Sequence, residues 1–124
     1  MNKRDLIVEQ VIGGALEVHR HLGPGLLESV YESCLEYELT LQGMKIQRQL
    51  GIPIKYKNFV LEQEFCIDIL VEDQIIIEIK SVHEINSIHK AQLMTYLRLR
   101  GGGLGLLINF NVSLLKQGIS RIII

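Results

Sequence analysis

Three charged side chains in the middle of this 124-residue sequence interrupt apolar strand patterns, and their types point to phosphoryl chemistry. In Ile75-Ile76-Ile77-Glu78-Ile79-Lys80 successive side chains of a strand alternate between faces, so Glu78 and Lys80 share the side of Ile76 while the odd-numbered isoleucines fill the other. Asp68 breaks the preceding run, Cys66-Ile67 and Ile69-Leu70-Val71, in the same way, and the short Glu72-Asp73-Gln74 turn makes the two strands neighbours. Burying charge costs several kcal/mol per ion unless it is paired or metal-bound. A partly buried salt-bridge cluster is the structural explanation. Two carboxylates with water in the remaining positions is how Mg²⁺ or Mn²⁺ is usually held, and an adjacent lysine can bind a phosphate or orient a water nucleophile.

Other candidates surround these three. Glu28 lies near the start of a helix, on a line with Tyr31 and Leu35, where it can join an acidic cluster or simply sit favourably at the positive helix end. Gln92 and Tyr96, one turn apart on a later helix, can reach a phosphate held over Lys80, and Tyr31 is grouped with them as a substrate contact. The alternative is a solvent-facing Gln and a core-edge Tyr. His19, His21, His83 and His89 show no HExxH spacing, and His89 reads as a capping or exposed residue. No GxxxxGK[ST] loop and no GxGxxG after a strand is present.

The elements that must position these residues are legible from periodicity. Apolar residues from Asp5 to Leu22 recur at three and four, giving an amphipathic helix that Gly23-Pro24-Gly25 stops. A second helix over Leu26 to Gln42 carries Leu27, Val30, Cys34, Tyr37 and Leu41 along what reads as its core stripe, with Gly43 at its end. Ile46–Tyr56 and Phe59–Val71 read as strands joined at Lys57-Asn58, and 67–71 and 75–79 as central strands covered on both faces. A crossover helix over Ser87 to Arg100, with Asn86 or Ser87 as N-cap, and two strands at 104–110 and 120–124 complete an order ααβββαββ.

Asp68, nine residues, then Glu78-Ile79-Lys80 resembles the D…ExK signature of the PD-(D/E)XK nuclease superfamily, carried on strands two and three of its αβββαβ core. Gly25-Leu26-Leu27-Glu28-Ser29-Val30-Tyr31 is similar to the G-x-x-E-x-x-Y motif of a small group placed in that superfamily. The likeness extends through His19, Gly23-Pro24-Gly25, Gln92-Leu93, Tyr96-Leu97 and Leu106 to Phe110, nearly the whole chain. Ile67 stands where the name-giving proline would be. The resemblance implies a restriction-endonuclease-like α/β fold, a mixed central sheet flanked by helices with an N-terminal helix pair. It also implies that Asp68 and Glu78 are metal ligands, with the carbonyl of Ile79 and the carboxylate of Glu28 completing the set, and that Lys80 is the catalytic lysine.

Composition bounds the rest. The length fits a single domain over residues 1–124, and 48% apolar residues can build a core without staples. Cys34 and Cys66, 32 positions apart, read as buried thiols of a cytoplasmic protein. The N-terminus shows no secretory pattern, and the uncharged stretch 101–113 is too short to span a bilayer. A net charge of −1 advertises no broad basic surface for duplex binding. The expectation is a Mg²⁺- or Mn²⁺-dependent nuclease acting on nucleic acid, DNA before RNA, with specificity supplied by a partner, an oligomer or DNA shape. Two other readings stand beside it: a non-catalytic binding or assembly module on the same fold, and a hydrolase of a non-nucleic phosphate. The apolar C-terminal strand Ile122-Ile123-Ile124 offers an edge through which a second copy could pair.

Overall fold

The structure is a computed structural model that describes residues 2–124, apart from the side chains of residues 63 and 64. Helices α1 (Lys3–Leu22) and α2 (Glu28–Leu41) precede strands β1 (Ile46–Tyr56), β2 (Phe59–Val71) and β3 (Ile75–Lys80). Helix α3 (Ser87–Leu99), β4 (Leu104–Asn109), a 3₁₀ turn (Leu115–Gly118) and β5 (Ile119–Ile123) follow. The strands form one sheet in the order β1-β2-β3-β4-β5, in which only β3 and β4 are parallel. That parallel pair requires the crossover that α3 provides. The αβββαβ core runs from α2 to β4, with α1 and β5 added at its ends.

Helix ends are set locally. The Asn2 side chain accepts the Asp5 amide at 2.8 Å to start α1. At α3 the Asn86 side chain accepts from the Ile88 and His89 amides, while the His89 ring accepts from the Asn86 amide. This reciprocal cap leaves His89 in the capping role that its position predicts.

The sheet is apolar on both faces because helices cover both. On one side α1 (Ile7, Val8, Val11, Ala15, Val18) and α2 (Tyr31, Leu35, Leu39) bury Ile69, Val71, Ile75, Ile77, Ile79, Leu106 and Ile108. On the other, Leu93, Tyr96 and Leu97 of α3 cover Ile67, Leu70, Ile76 and Leu107. Each such side chain fully withdrawn from water contributes about 1.5–3 kcal/mol. Ile67 and Ile69 belong to opposite faces although two residues apart, so β2 turns over at Asp68. Opposite it in β1, between the pairs Arg48↔Ile69 and Leu50↔Ile67, Gln49 adopts a left-handed backbone with φ 49°.

Two expectations change. The stripe Leu27, Val30, Cys34, Tyr37 and Leu41 is not the core face of α2: Tyr31, Leu35 and Leu39 are fully buried instead, and Leu27 is 73% exposed. Spacing alone allowed either set, and the sheet selects the one continuous with Phe110, on which the Tyr31 ring stacks at 4.4 Å. Cys66 is exposed rather than buried, because that half of β2 pairs only with β1, beyond the reach of β3. Cys34 is partly buried and both thiols are free.

Candidate functional site

The site lies where β2 and β3 part. Their ladder runs through Val71↔Ile75, Leu70↔Ile76 and Ile69↔Ile77 and then ends, whereas β3 continues against β4 to Lys80↔Asn109. At the next step the carboxylates replace the backbone carbonyls as acceptors. The Asp68 amide donates to Glu78 Oε2 at 2.8 Å, and the Ile79 amide donates to Asp68 Oδ2 at 2.8 Å. Two amides that would be unpaired at the fork are thereby satisfied, and both carboxylates are held in place by the strand they face.

Gln49 completes this arrangement. Its left-handed backbone brings the side-chain amide between two acids, donating to Glu32 Oε1 at 2.7 Å and to Asp68 Oδ1 at 3.3 Å. Glu32, 6% exposed, also accepts from Arg48 Nη2 at 2.8 Å, and Arg48 reaches Glu36 at 3.1 Å. Glu28, Ser29, Glu32, Gln49, Asp68 and Ile79 together line a cleft of about 200 Å³. Sequence reasoning missed Glu32 and Gln49. The signal for Glu32 was its place one turn after Glu28, whereas Gln49 depends on a left-handed backbone with no mark in the sequence.

The electrostatics are those of crowded acids. Glu78 is 4% exposed; burial first, and then the charge of Asp68, push its carboxyl up to about 8. Burial also raises Asp68, opposed by the Ile79 amide and reinforced by Glu32. Lys80 is partly exposed, forms no ion pair among the described residues, and its charge lowers both carboxyls. Tyr96 is 4% exposed; burial, then Glu78 and Asp68, push its hydroxyl up to about 12.

The remaining candidates are placed as follows. Glu28 is exposed at the cleft rim, where Oε2 accepts the Ser81 amide at 3.0 Å and so ties α2 to the end of β3. Ser81 Oγ donates to the Leu26 carbonyl at 2.6 Å, a second tie at the same point. Gln92 is partly exposed on α3, one turn before Tyr96. Tyr96 stands beside the carboxylates but within the α3-side core, so it contacts Phe65 rather than opening to the cleft. Tyr31 is a correction. It is 0% exposed, its hydroxyl donates to the Gly23 carbonyl at 2.6 Å and accepts from the Leu26 amide at 3.1 Å, and no group is left for a substrate. It pins the Gly23-Pro24-Gly25 turn, in which both glycines have positive φ.

The donor set suits a hard divalent cation: a buried carboxylate, Glu78, and a half-buried one, Asp68, both raised by burial, beside the Ile79 backbone. Among the described residues, no three His, Cys, Asp or Glu side chains converge into a closed cage. A cation held here would keep waters in its shell, as Mg²⁺ characteristically does.

No described helix is long and apolar enough to cross a membrane. Compared with known proteins, the chain matches the family described as the PD-(D/E)XK nuclease superfamily over residues 5–122. No curated protein and no solved structure matches it significantly. The match spans both helices, the fork between β2 and β3 and the crossover to β4, and it agrees with the restriction-endonuclease-like core of the structure. The chain belongs to the PD-(D/E)XK nuclease superfamily.

Proposed function

We propose that this protein is a divalent-metal-dependent nuclease of the GxxExxY group that hydrolyses phosphodiester bonds of nucleic acid, with DNA as its preferred substrate, and that residues 1–124 act as a single catalytic domain in the cytoplasm. The superfamily membership supports the nuclease class, and PD-(D/E)XK nucleases generally use divalent metals. The observation that carries the reading is the exchange at the fork, where each of Asp68 and Glu78 is fixed by an amide of the facing strand while both are desolvated.

In this reading Asp68 and Glu78, with the Ile79 carbonyl and Glu28 at the rim, hold Mg²⁺ or Mn²⁺. The ion supplies charge stabilisation at the phosphoryl oxygens and an acidified water. Asp68 and Glu78 reach the ionised state that this requires only when their protons are displaced, since burial favours the neutral acids. Lys80, unpaired among the described residues, is free to orient the attacking water or to meet the phosphate. Glu32 is already satisfied by Arg48 and Gln49, and serves to position Gln49 against Asp68. Gln92, partly exposed on α3, orients the substrate, while Tyr96 backs the carboxylates from the core side.

Incubation with single- and double-stranded DNA and RNA in Mn²⁺ tests this proposal. Metal-dependent cleavage that disappears in Lys80→Ala, with the variant folded, supports it; an uncut panel contradicts it. A non-catalytic binding module is the second reading, favoured by the absence of a three-ligand cage among the described residues and by the net charge of −1. It predicts nucleic-acid or protein binding that is indifferent to Mn²⁺ and to Lys80→Ala.

A further inference from the structure

Helix α2 carries two apolar faces, and only one has a partner. Tyr31, Leu35 and Leu39 pack on the sheet. Leu27, Val30, Cys34, Tyr37 and Leu41 form a second stripe at steps of three, four, three and four, the heptad spacing of helices that pair with helices. Leu27 is 73% exposed, Tyr37 64% and Leu41 65%, with Val30 and Leu22 of α1 each at 37%. Beside the stripe, Val18, His21 and Leu22 of α1 and Ser33, Cys34, Tyr37 and Glu38 of α2 form a mostly apolar groove.

We propose that this stripe is the contact through which a second copy of the chain docks, with the two α2 helices antiparallel about a two-fold axis at Cys34. Leu27 lies seven residues before Cys34 and Leu41 seven after, so inverting the helix sets Leu27 against the partner's Leu41 and Cys34 against the partner's Cys34, and brings Val30 to within one residue of the level of the partner's Tyr37. Charge favours this orientation. The inversion sets Glu38 opposite Val30 and Glu28 opposite Thr40, whereas parallel helices would stack each glutamate on its own copy and align their dipoles. Glu32 and Glu36, which also oppose one another on inversion, are both engaged by Arg48 away from the stripe. Ser29, Ser33 and Thr40 flank the seam with small side chains that permit close approach.

The size of the stripe fits. Its exposed side chains amount to roughly 500 Å² of apolar surface per copy, the upper range of an unpartnered patch on a monomer, so full coverage in a symmetric pair buries about 1,000 Å², the threshold of a specific interface. At about 100° per residue the stripe is centred well away from Glu32, so pairing leaves the acidic cleft open.

The test uses the full chain as Cys66→Ser, in which Cys34 is the only thiol. Sedimentation at micromolar concentration should show a dimer, and a short bismaleimide should join two chains through Cys34, with no product from the Cys34→Ser, Cys66→Ser double variant. Tyr37→Lys with Leu41→Glu should weaken self-association at least tenfold with an unchanged circular dichroism spectrum, because both side chains already face solvent. A monomeric wild type without a cross-linked product overturns the proposal and leaves the stripe to a different protein. A dimer that resists both the cross-linker and the charged double variant also overturns it, and moves the contact elsewhere, such as the β5 edge.

Discussion

Asp68 and Glu78 each occupy the backbone donor that the other's strand leaves free: Glu78 accepts the amide of Asp68, and Asp68 accepts the amide of Ile79, both at 2.8 Å. This exchange explains how two acids can sit at the fork of a buried sheet without unpaired backbone. It also makes the site's chemistry part of the fold's stability, since the same atoms serve both.

The first consequence concerns pH. The Glu78 carboxyl is held up to about 8 against an ordinary 4.5, and Asp68 shifts in the same direction. The folded chain therefore keeps a proton that the unfolded chain has released. Stability is greatest below about pH 4.5 with respect to Glu78 and falls as pH rises toward 8. Urea unfolding at pH 6 and pH 8.5 should show a loss of roughly 1–3 kcal/mol in the wild type, after allowance for relaxation around a buried charge. Glu78→Gln should remove most of that loss.

Tyr31→Phe separates scaffold from site. It deletes a hydroxyl that donates to Gly23 and accepts from Leu26 while leaving the ring stacked on Phe110. Thermal and urea unfolding should report a loss of about 1–3 kcal/mol. Mn²⁺ affinity and kcat at a temperature where both proteins are folded should be unchanged. A selective rise in KM would restore Tyr31 as a substrate contact.

The left-handed backbone at Gln49 gives a paired prediction. Gln49→Gly relieves the φ of 49° and Gln49→Ala does not, so the glycine variant should be the more stable of the two by about 1 kcal/mol. Both lose the amide that separates Glu32 from Asp68, so in both the pH midpoint of metal binding should move upward.

How much of this was legible in the sequence follows from what each signal measures. Lys57-Asn58 between two β-rich runs fixed the β1–β2 hairpin, with Tyr56↔Phe59 closing it. The alternation through Ile75 to Lys80 set Ile76 apart from Ile75, Ile77 and Ile79, and the structure packs Ile76 under α3 and the other three under α1 and α2. Helix α2 was misread because two apolar stripes share fourteen residues, and only the tertiary partner decides between them. Gln49 stayed invisible because its role rests on a left-handed backbone opposite Asp68, where alternation fails although the pairing keeps its register. For Tyr31 the sequence places a tyrosine near the acidic residues, and only the structure shows its hydroxyl tied to Gly23 and Leu26.

Lys80 tests the division of labour at the site. Lys80→Met removes a charge that lowers both carboxyls, without removing a donor to either. Cleavage should fall by roughly 10²–10⁴-fold, the usual range for a group that acts on the proton or the phosphate. Mn²⁺ should still bind, so the loss appears in kcat at saturating metal. Loss of metal binding instead would make Lys80 a structural counter-ion.

Calorimetric titration of Mn²⁺ into the wild type, Asp68→Asn and Glu78→Gln at pH 8 decides whether the fork is a metal site. One saturable site is expected in the wild type, with proton release set by the raised carboxyls, and at least tenfold weaker binding in each variant. A folded wild type that takes up no Mn²⁺, or variants that bind it as tightly, would rule out a metal site here and leave Asp68 and Glu78 as amide caps of a forked sheet.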